Sequence, residues 1–547
     1  MKFRRKGVIA LTAALCVALF ASAAMADEST LRTAIEAGGN VQMSESVALT
    51  DELIVENDVT LDLAGYKLSR NGANSATYVI RVRNNATLTI NDSVGGGSIE
   101  STTTGDQTGR CIIIGDGTNG GTVIMNAGTL IADYREPEGN VYGGQAVRLQ
   151  GNTRADDRET SVTAVFTMKG GKIQAGMGGV VAFGKTSTVN IEGGEIESYA
   201  YAIAGNGTND DTEDCGGTVI NISGGTLTSK MTSAIYQPQA GTIEITGGTV
   251  TGYDGIQMKA GTLIMSGGTL EGTGAFNDDY TYEEGQHDGT IATGAALALL
   301  SEGNTEKTGY AGNITVKISG NAVLRSADGY ALAEAYSNYK EGAINKFVGL
   351  TIEGGTFIGA EDKTALVMTN AVDTSGERGY TVITGGTFSS ELSACDGLKD
   401  LTNLPQMTQD ENGNFVAVTT PADTLEITSD SLEVAVGKTL QLKAVMTPEG
   451  ANDKVVWSSS DEAIATVDQN GLVTGVSVGN VTIKGTITHT DSTLKDLESS
   501  LEIAVVAATT SDDVKPQPSG SGGGGCSAGF GALALLAALP LLRMKKK

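Results

Sequence analysis

Apolar and polar residues alternate through the middle of the chain in short runs that end on paired glycines, in the order apolar, x, apolar, x, Gly-Gly, x, apolar. The template recurs as FTMKGGKI (166–173), VNIEGGEI (189–196), INISGGTL (220–227), IEITGGTV (243–250), LIMSGGTL (263–270), LTIEGGTF (350–357) and TVITGGTF (381–388), with looser copies starting at Val123 and Val316. Period-two alternation marks a strand with one buried face, and the apolar residue three past the first Gly opens a second strand beyond a tight corner. A pair of glycines permits positive φ at that corner without steric cost. A third strand-like piece follows most copies, as in AVRLQ (146–150), YAIAG (201–205), SAIYQ (233–237) and DGIQM (254–258).

The copies lie 20 to 53 residues apart, and a coil of three strands and three corners needs about 20 residues. Longer intervals are coils with loops inserted at a corner, and the 53-residue interval is read as holding a further, degenerate coil around 295–300. Stacked coils bury one continuous core and leave each end in need of a cap. Roughly 13 coils, each rising about 4.8 Å, would span about 60 Å. Residues two and four before each double Gly should point inward, which places Ile191, Ile222, Ile245, Met265, Ile352 and Ile383 in one interior column. Before the first coil, STLRTAIEAG (29–38) reads as a short amphipathic helix over the open end, with Ser29 as N-cap, Gly38 at its end and Leu31 and Ile35 on one face.

NDVTLDLAGYKL (57–68) resembles the opening coil of right-handed parallel β-helices of the pectate-lyase type, and the stretch from GGTFSSELSACDGL to Val418 resembles the last coils of exported β-helix proteins. This resemblance covers 27–418 and speaks for architecture, not substrate. After Pro421 the glycine template stops, and short alternating strands with an Asn470-Gly471 turn predict an antiparallel sandwich. There VGKTLQLKA, VVWSSSDEAIATVDQNGLVTGV and GNVTI closely resemble the group 2 bacterial immunoglobulin-like domain, with a departure at 489–498 that lengthens the final hairpin. The resemblance implies surface display, as an adhesion module or as a spacer, and puts the single Trp, Trp457, in the sandwich core.

The termini set the expected location. A basic start, an apolar run from Val8 to Ala21 and the small residues Ala24 and Ala26 read as a secretory signal over 1–26 with an A-x-A cleavage site. Residues 509–525 form a Gly/Ser/Pro linker, and 526–547 carry a short apolar helix and a basic stop. The run GGGGC-SAGFGALALLAALPLL-R-KKK resembles the Synergist-type C-terminal sorting signal, which implies processing near Gly525 and Cys526 at a membrane; a plain membrane anchor is the other reading. Either way the expectation is an exported protein at the cell surface or outer envelope, held to a membrane by its tail. The expected plan is all-β: signal peptide 1–26, right-handed parallel β-helix 27–418, a small immunoglobulin-like β-sandwich 423–508, linker 509–525, and the hydrophobic sorting or anchor segment 526–547.

Composition narrows the chemistry. Only two His, His287 and His489, occur among 547 residues, which rules out a multi-His metal centre, and both fall in loops. A net charge of −27 repels phosphate backbones, so nucleic acid is not an expected partner. Three body cysteines, Cys111, Cys215 and Cys395, give no disulfide framework, and about four coils between the first two put them roughly 19 Å apart, past bridging distance.

Acidic residues gather in two inserted loops, Asp210, Asp211, Glu213 and Asp214, then Asp278, Asp279, Glu283, Glu284 and Asp288 beside His287. Their spacing matches no cation loop, and solvated loops are the plainer reading. Arg81, Arg83, Arg110 and Arg148 fall at strand positions of early coils, either as a basic stripe for an acidic glycan or as outward charges offsetting the acid excess. The Gly-His-Gly and Arg-Ile-Lys sequences of polygalacturonases and the Trp-Ile-Asp-His signature of pectate lyases do not occur. No catalytic, cofactor-binding or metal-ligating residue is assigned, and no cofactor is called for. The expected function is a non-catalytic, adhesin-like surface protein presenting a β-helix face to a glycan or protein; the alternative is an exported polysaccharide lyase or glycoside hydrolase on the same scaffold.

Overall fold

A computed structural model describes residues 24–25 and 27–507 except for 73–76, 104–108, 117, 137–142, 152–161, 185, 206–216, 276–292, 305–311, 336–342, 346, 369–378, 399–400, 402–403, 419, 449–450, 452, 454, 469–470 and 490–493. The chain falls into two compact units. Both are built almost wholly of strands, the first dominated by long parallel sheets in a β-helix-like stack and the second holding most of an immunoglobulin-like sandwich, in Ile427–Lys443, Trp457–Gly485 and the residues from Ser500.

The alternating template does what its period requires. In register from coil to coil, Val41, Leu61, Ile90, Met125, Met168, Ile191, Ile222, Ile245, Met265, Ile318, Ile352 and Ile383 form one interior column on the first sheet, and all are buried. A second column after the glycine corner runs from Val47 and Leu68 through Ile196, Leu227 and Val250 to Phe357 and Phe388. The third sheet has 11 strands, ordered from Leu53–Val55 to Leu366–Val367. The described first-sheet column holds twelve coils rather than thirteen, about 50 Å at ~4.8 Å per step.

Two expectations about this stack need correction. The 53-residue interval hides no extra coil: Gly261–Met265 pairs directly with Ile314–Ile318. Leu297–Leu300 is instead the third-sheet strand of that same coil, pairing with Ile256–Met258 beneath it. The glycine pairs also divide their work. Only the second Gly takes positive φ, as Gly194 (85°) and Gly248 (82°) do. The first is small because a Cβ on Gly193 would lie 2.7 Å from the Lys169 carbonyl oxygen, and one on Gly247 2.3 Å from that of Ser223. In the last coils the corner is not a break at all, because Val348–Ile358 and Gly379–Phe388 run through it as continuous strands with a register shift at the glycines.

Both ends of the stack are closed. The opening helix is Glu28–Ala37, with Leu31 and Ile35 buried against the core. Its N-cap is Asp27, not Ser29, because the Asp27 carboxylate accepts from Thr30 N at 2.8 Å. At the far end Phe415–Val418 pairs antiparallel with Gly379–Phe388 and forms a hairpin with Gln406–Gln409, covering a strand edge that would otherwise be open. Ala24–Met25 adds as a short parallel strand beside Gly39–Met43. Ala26, Gly525 and Cys526 lie outside the described residues, and so do both acidic loops, His287 and Cys215. Cys111 and Cys395 are free and buried, and burial pushes the Cys111 thiol up to about 12, so Cys111 acts as packing.

The sandwich has two sheets of four strands. It is not wholly antiparallel, since Glu433–Ala435 runs parallel to Leu497–Val506. Trp457 is buried, its indole lying against Gly471, where a Cβ would come within 2.9 Å of the ring. At the lengthened hairpin, His489 N donates to Asp496 Oδ1 at 3.0 Å and His489 Nε2 lies 3.2 Å from Asp453. A residue read as a plain loop histidine thus ties down the base of the insertion.

Candidate functional site

The third sheet positions the arginines singled out in the sequence. Along each of its strands one apolar residue points into the core, giving the buried column Ile80, Ile112, Val147, Val180, Ile203, Ile235 and Ile256. The next residue therefore points away from the core, which aligns Arg81, Ile113, Arg148, Val181, Ala204, Tyr236 and Gln257, and of these Ile113, Val181, Ala204, Tyr236 and Gln257 are themselves buried. A parallel outward row carries Tyr78, Arg110, Gln145, Gly178 and Tyr201. Arg81, Arg110 and Arg148 share this face. Arg83 does not, because the strand ends at Val82.

Cations and aromatic rings alternate along the face. Arg81 and Arg110 each place the guanidinium carbon 5.2 Å from the Tyr78 ring centroid, and Arg148 lies 4.0 Å from that of Phe183. Tyr201 stacks on Tyr236 at 5.2 Å, and Lys259 Nζ donates to the Tyr236 hydroxyl at 2.8 Å. Each cation over a ring contributes about 0.5–1 kcal/mol at an exposed site. Arg81 is forked onto Glu52 at 3.0 and 3.1 Å, and Arg83 pairs with Glu56 at 2.7 Å. Part of the basic stripe is therefore neutralised by acids of the preceding coil. Phe183, Tyr201, Arg110 and Arg148 remain half-buried, so their outer edges face solvent.

The carboxylates with altered proton affinity do not make a reaction centre. Desolvation raises Asp254 to about 7, the range of a general acid, but the residue is 2% exposed and accepts from Thr293 N at 3.0 Å and Thr293 Oγ1 at 2.7 Å. It clamps one corner to the next coil and cannot reach a substrate. Sequence reasoning missed a second cluster at the corner after the second sheet. There Lys230 Nζ lies 2.6 Å from Glu197, the Tyr134 hydroxyl donates to the same carboxylate, and Lys172 stands 3.3 Å away. The hydrogen bond from Lys230, then that from Tyr134, holds Glu197 down at about 2. A carboxylate held that far below neutrality is a poor base, so this cluster is a structural ion network. Its members are 63 and 96 residues apart in pairs, and only coil register brings them together. Among the described residues no group of three or more His, Cys, Asp or Glu could hold a metal ion. Among them, too, no helix is long and apolar enough to cross a membrane.

A β-helix-like repeat body followed by an immunoglobulin-like module is the class of protein that the fold defines. Residues 421–496 match the family described as Bacterial Ig-like domain (group 2). The chain is 42% identical over 89 residues to a 3-O-alpha-D-galactosyl-alpha-L-arabinofuranosidase of Bifidobacterium longum subsp. longum, covering 16% of this chain and 7% of that protein. It is 37% identical over 93 residues to an A type blood N-acetyl-alpha-D-galactosamine deacetylase of Flavonifractor plautii (16% and 11%). Over 94 residues it is 31% identical to a lacto-N-biosidase of Bifidobacterium bifidum (17% and 8%). The chain thus spans about a tenth of the length of these relatives, and each aligned stretch is the size of one small module.

Proposed function

We propose that the protein is an extracellular, carbohydrate-directed binding protein whose β-helix-like body presents the outer face of its third sheet to a glycan without cutting it. The observation that carries this reading is the pair of half-buried rings, Phe183 and Tyr201, on the same face as the half-buried Arg110 and Arg148. Rings offer flat apolar surface to sugar C–H faces, and the guanidinium donors between them suit hydroxyl and acid groups. Relatives named for acting on glycans support a carbohydrate setting. The short aligned stretches favour a shared accessory module over a shared catalytic domain. We propose a right-handed winding, the hand that crossovers between parallel strands strongly prefer. In the same reading the sandwich is a spacer or adhesion module, cleavage after Ala26 leaves Asp27 in place as the helix cap, and the tail at Gly525 and Cys526 holds the body at the cell surface.

The test is the full chain and a Phe183→Ala/Tyr201→Ala variant on a glycan array. Both rings pack on the small buried cluster of Val181, Ala204 and Tyr236 but on neither interior column, so the variant should stay folded with a lowered melting temperature while glycan retention falls at least about tenfold, as expected for losing two stacking platforms. Unchanged retention by the variant would place binding elsewhere.

A further inference from the structure

In a chain of net charge −27, carboxylates are abundant, and the described arginines use them. Arg32 pairs with Glu28, Arg70 with Asp51, Arg81 with Glu52, Arg83 with Glu56, Arg135 with Asp133 and Arg325 with Glu271. Arg148 packs on Phe183 and reaches Gln145. Arg110 differs. Its Nη1 donates to the Tyr78 hydroxyl at 2.6 Å and its guanidinium lies over the same ring, while its Nε, like that of Arg148, is buried with no hydrogen bond. None of the described carboxylates pairs with it.

With Nη1 committed to Tyr78 and Nε shielded, Nη2 is the donor left for a ligand, and its bond to a carboxylate or sulfate-ester oxygen is charge-assisted and stronger than a neutral one. Tyr78 fixes the guanidinium through both ring and hydroxyl, so little side-chain freedom is lost when a ligand binds. Phe183 and Tyr201 lie two and three coils further along the same sheet, about 10–15 Å away at ~4.8 Å per coil.

We infer that Arg110 is an anion-recognition point on the third sheet, reading an acidic group of a glycan whose neighbouring sugars lie along Phe183 and Tyr201. The inference rests on the proposal that this face binds carbohydrate, and narrows the ligand to acidic glycans.

The test measures binding of the full chain to a glucuronate-containing oligosaccharide, to its methyl ester, and to a sulfated neutral glucan. An acid should bind at least about tenfold tighter than the ester. Arg110→Gln should remove the preference for the acid over the ester, and Arg110→Lys should keep part of it. Raising salt from about 50 to about 500 mM should weaken binding of the acid and leave the ester unaffected; acid binding that salt does not move overturns the inference without any variant, and Arg110→Lys carries the residue assignment if Arg110→Gln fails to fold. A preference for the sulfated glucan that is lost in Arg110→Gln supports the site and identifies its anion as sulfate. Equal binding of acid and ester by wild type, or an acid preference that survives Arg110→Gln, overturns the inference while leaving carbohydrate binding intact. Retention of none of the three, nor of any glycan on an array, overturns the broader reading with it.

Discussion

Ile245→Asp should lower the melting temperature of the β-helix-like unit by more than 10 °C, or abolish its folding. Ile245 is 1% exposed and lies in register between Ile222 below and Met265 above. An Asp there has neither water nor a partner. Burying an unpaired charge in a close-packed column costs several kcal/mol, at least about 4. The damage should spread, because each coil is stabilised by its neighbours and a break mid-stack removes support from both halves. The second compact unit, which holds Ile427–Lys443, Trp457–Gly485 and the residues from Ser500, should keep its own transition. Ile245→Leu serves as the control and should cost less than about 1.5 kcal/mol. A wild-type-like melt of Ile245→Asp would mean that the column is not a core.

The second large effect concerns Asp254 and pH. Burial raises its carboxyl to about 7, whereas in the unfolded chain an Asp titrates near ~3.9. Between those values the native state holds a proton that the unfolded state releases. This group's contribution to stability is therefore fully present below about pH 4, is lost as pH rises toward 7, and stays lost above. The loss amounts to the order of 2–4 kcal/mol for a shift of this size. Asp254→Asn keeps an acceptor oxygen for Thr293 N and Oγ1 but carries no charge. The difference between wild type and Asp254→Asn should thus be small at pH 4 and favour the variant at pH 8. Asp254→Ala, which leaves the Thr293 amide unpaired, should be less stable than Asp254→Asn at both, by about 1–3 kcal/mol. Chemical denaturation across this pH range checks all three; a difference between wild type and Asp254→Asn that is flat with pH would show that Asp254 is not held in the way its burial implies.

The interior columns were legible in the sequence because period-two alternation needs no knowledge of the third dimension. Ile191, Ile222, Ile245, Met265, Ile352 and Ile383 could be placed by counting back from the glycines, and the structure stacks them. What alternation does not carry is which coil lies on which. The interval between Gly267 and Gly320 could hold one coil or two, and only the pairing of Gly261 with Ile314 decides it. The candidate face was half visible for the same reason. The arginines were evident as strand residues, but their alignment with Tyr78, Phe183, Tyr201 and Tyr236 depends on register across inserted loops of varied length. The glycine pair hid two causes behind one motif, since positive φ at Gly248 is a property of its own backbone while the smallness of Gly247 answers to the Ser223 carbonyl of another coil. Asp27 and Ser29 are both capping residue types two positions apart, and only the hydrogen bond from Thr30 N to the Asp27 carboxylate tells them apart. His489 gave no signal because its partner Asp453 is 36 residues away.

The most direct measurement follows the full chain in soluble and immobilised acidic and neutral polysaccharides, scoring retention and new reducing or unsaturated chain ends together. A protein that binds along the third sheet without cutting should be retained on at least one polysaccharide while its chain length stays unchanged over long incubation. Chain shortening that scales with protein concentration would contradict this and establish the polysaccharide-cleaving alternative.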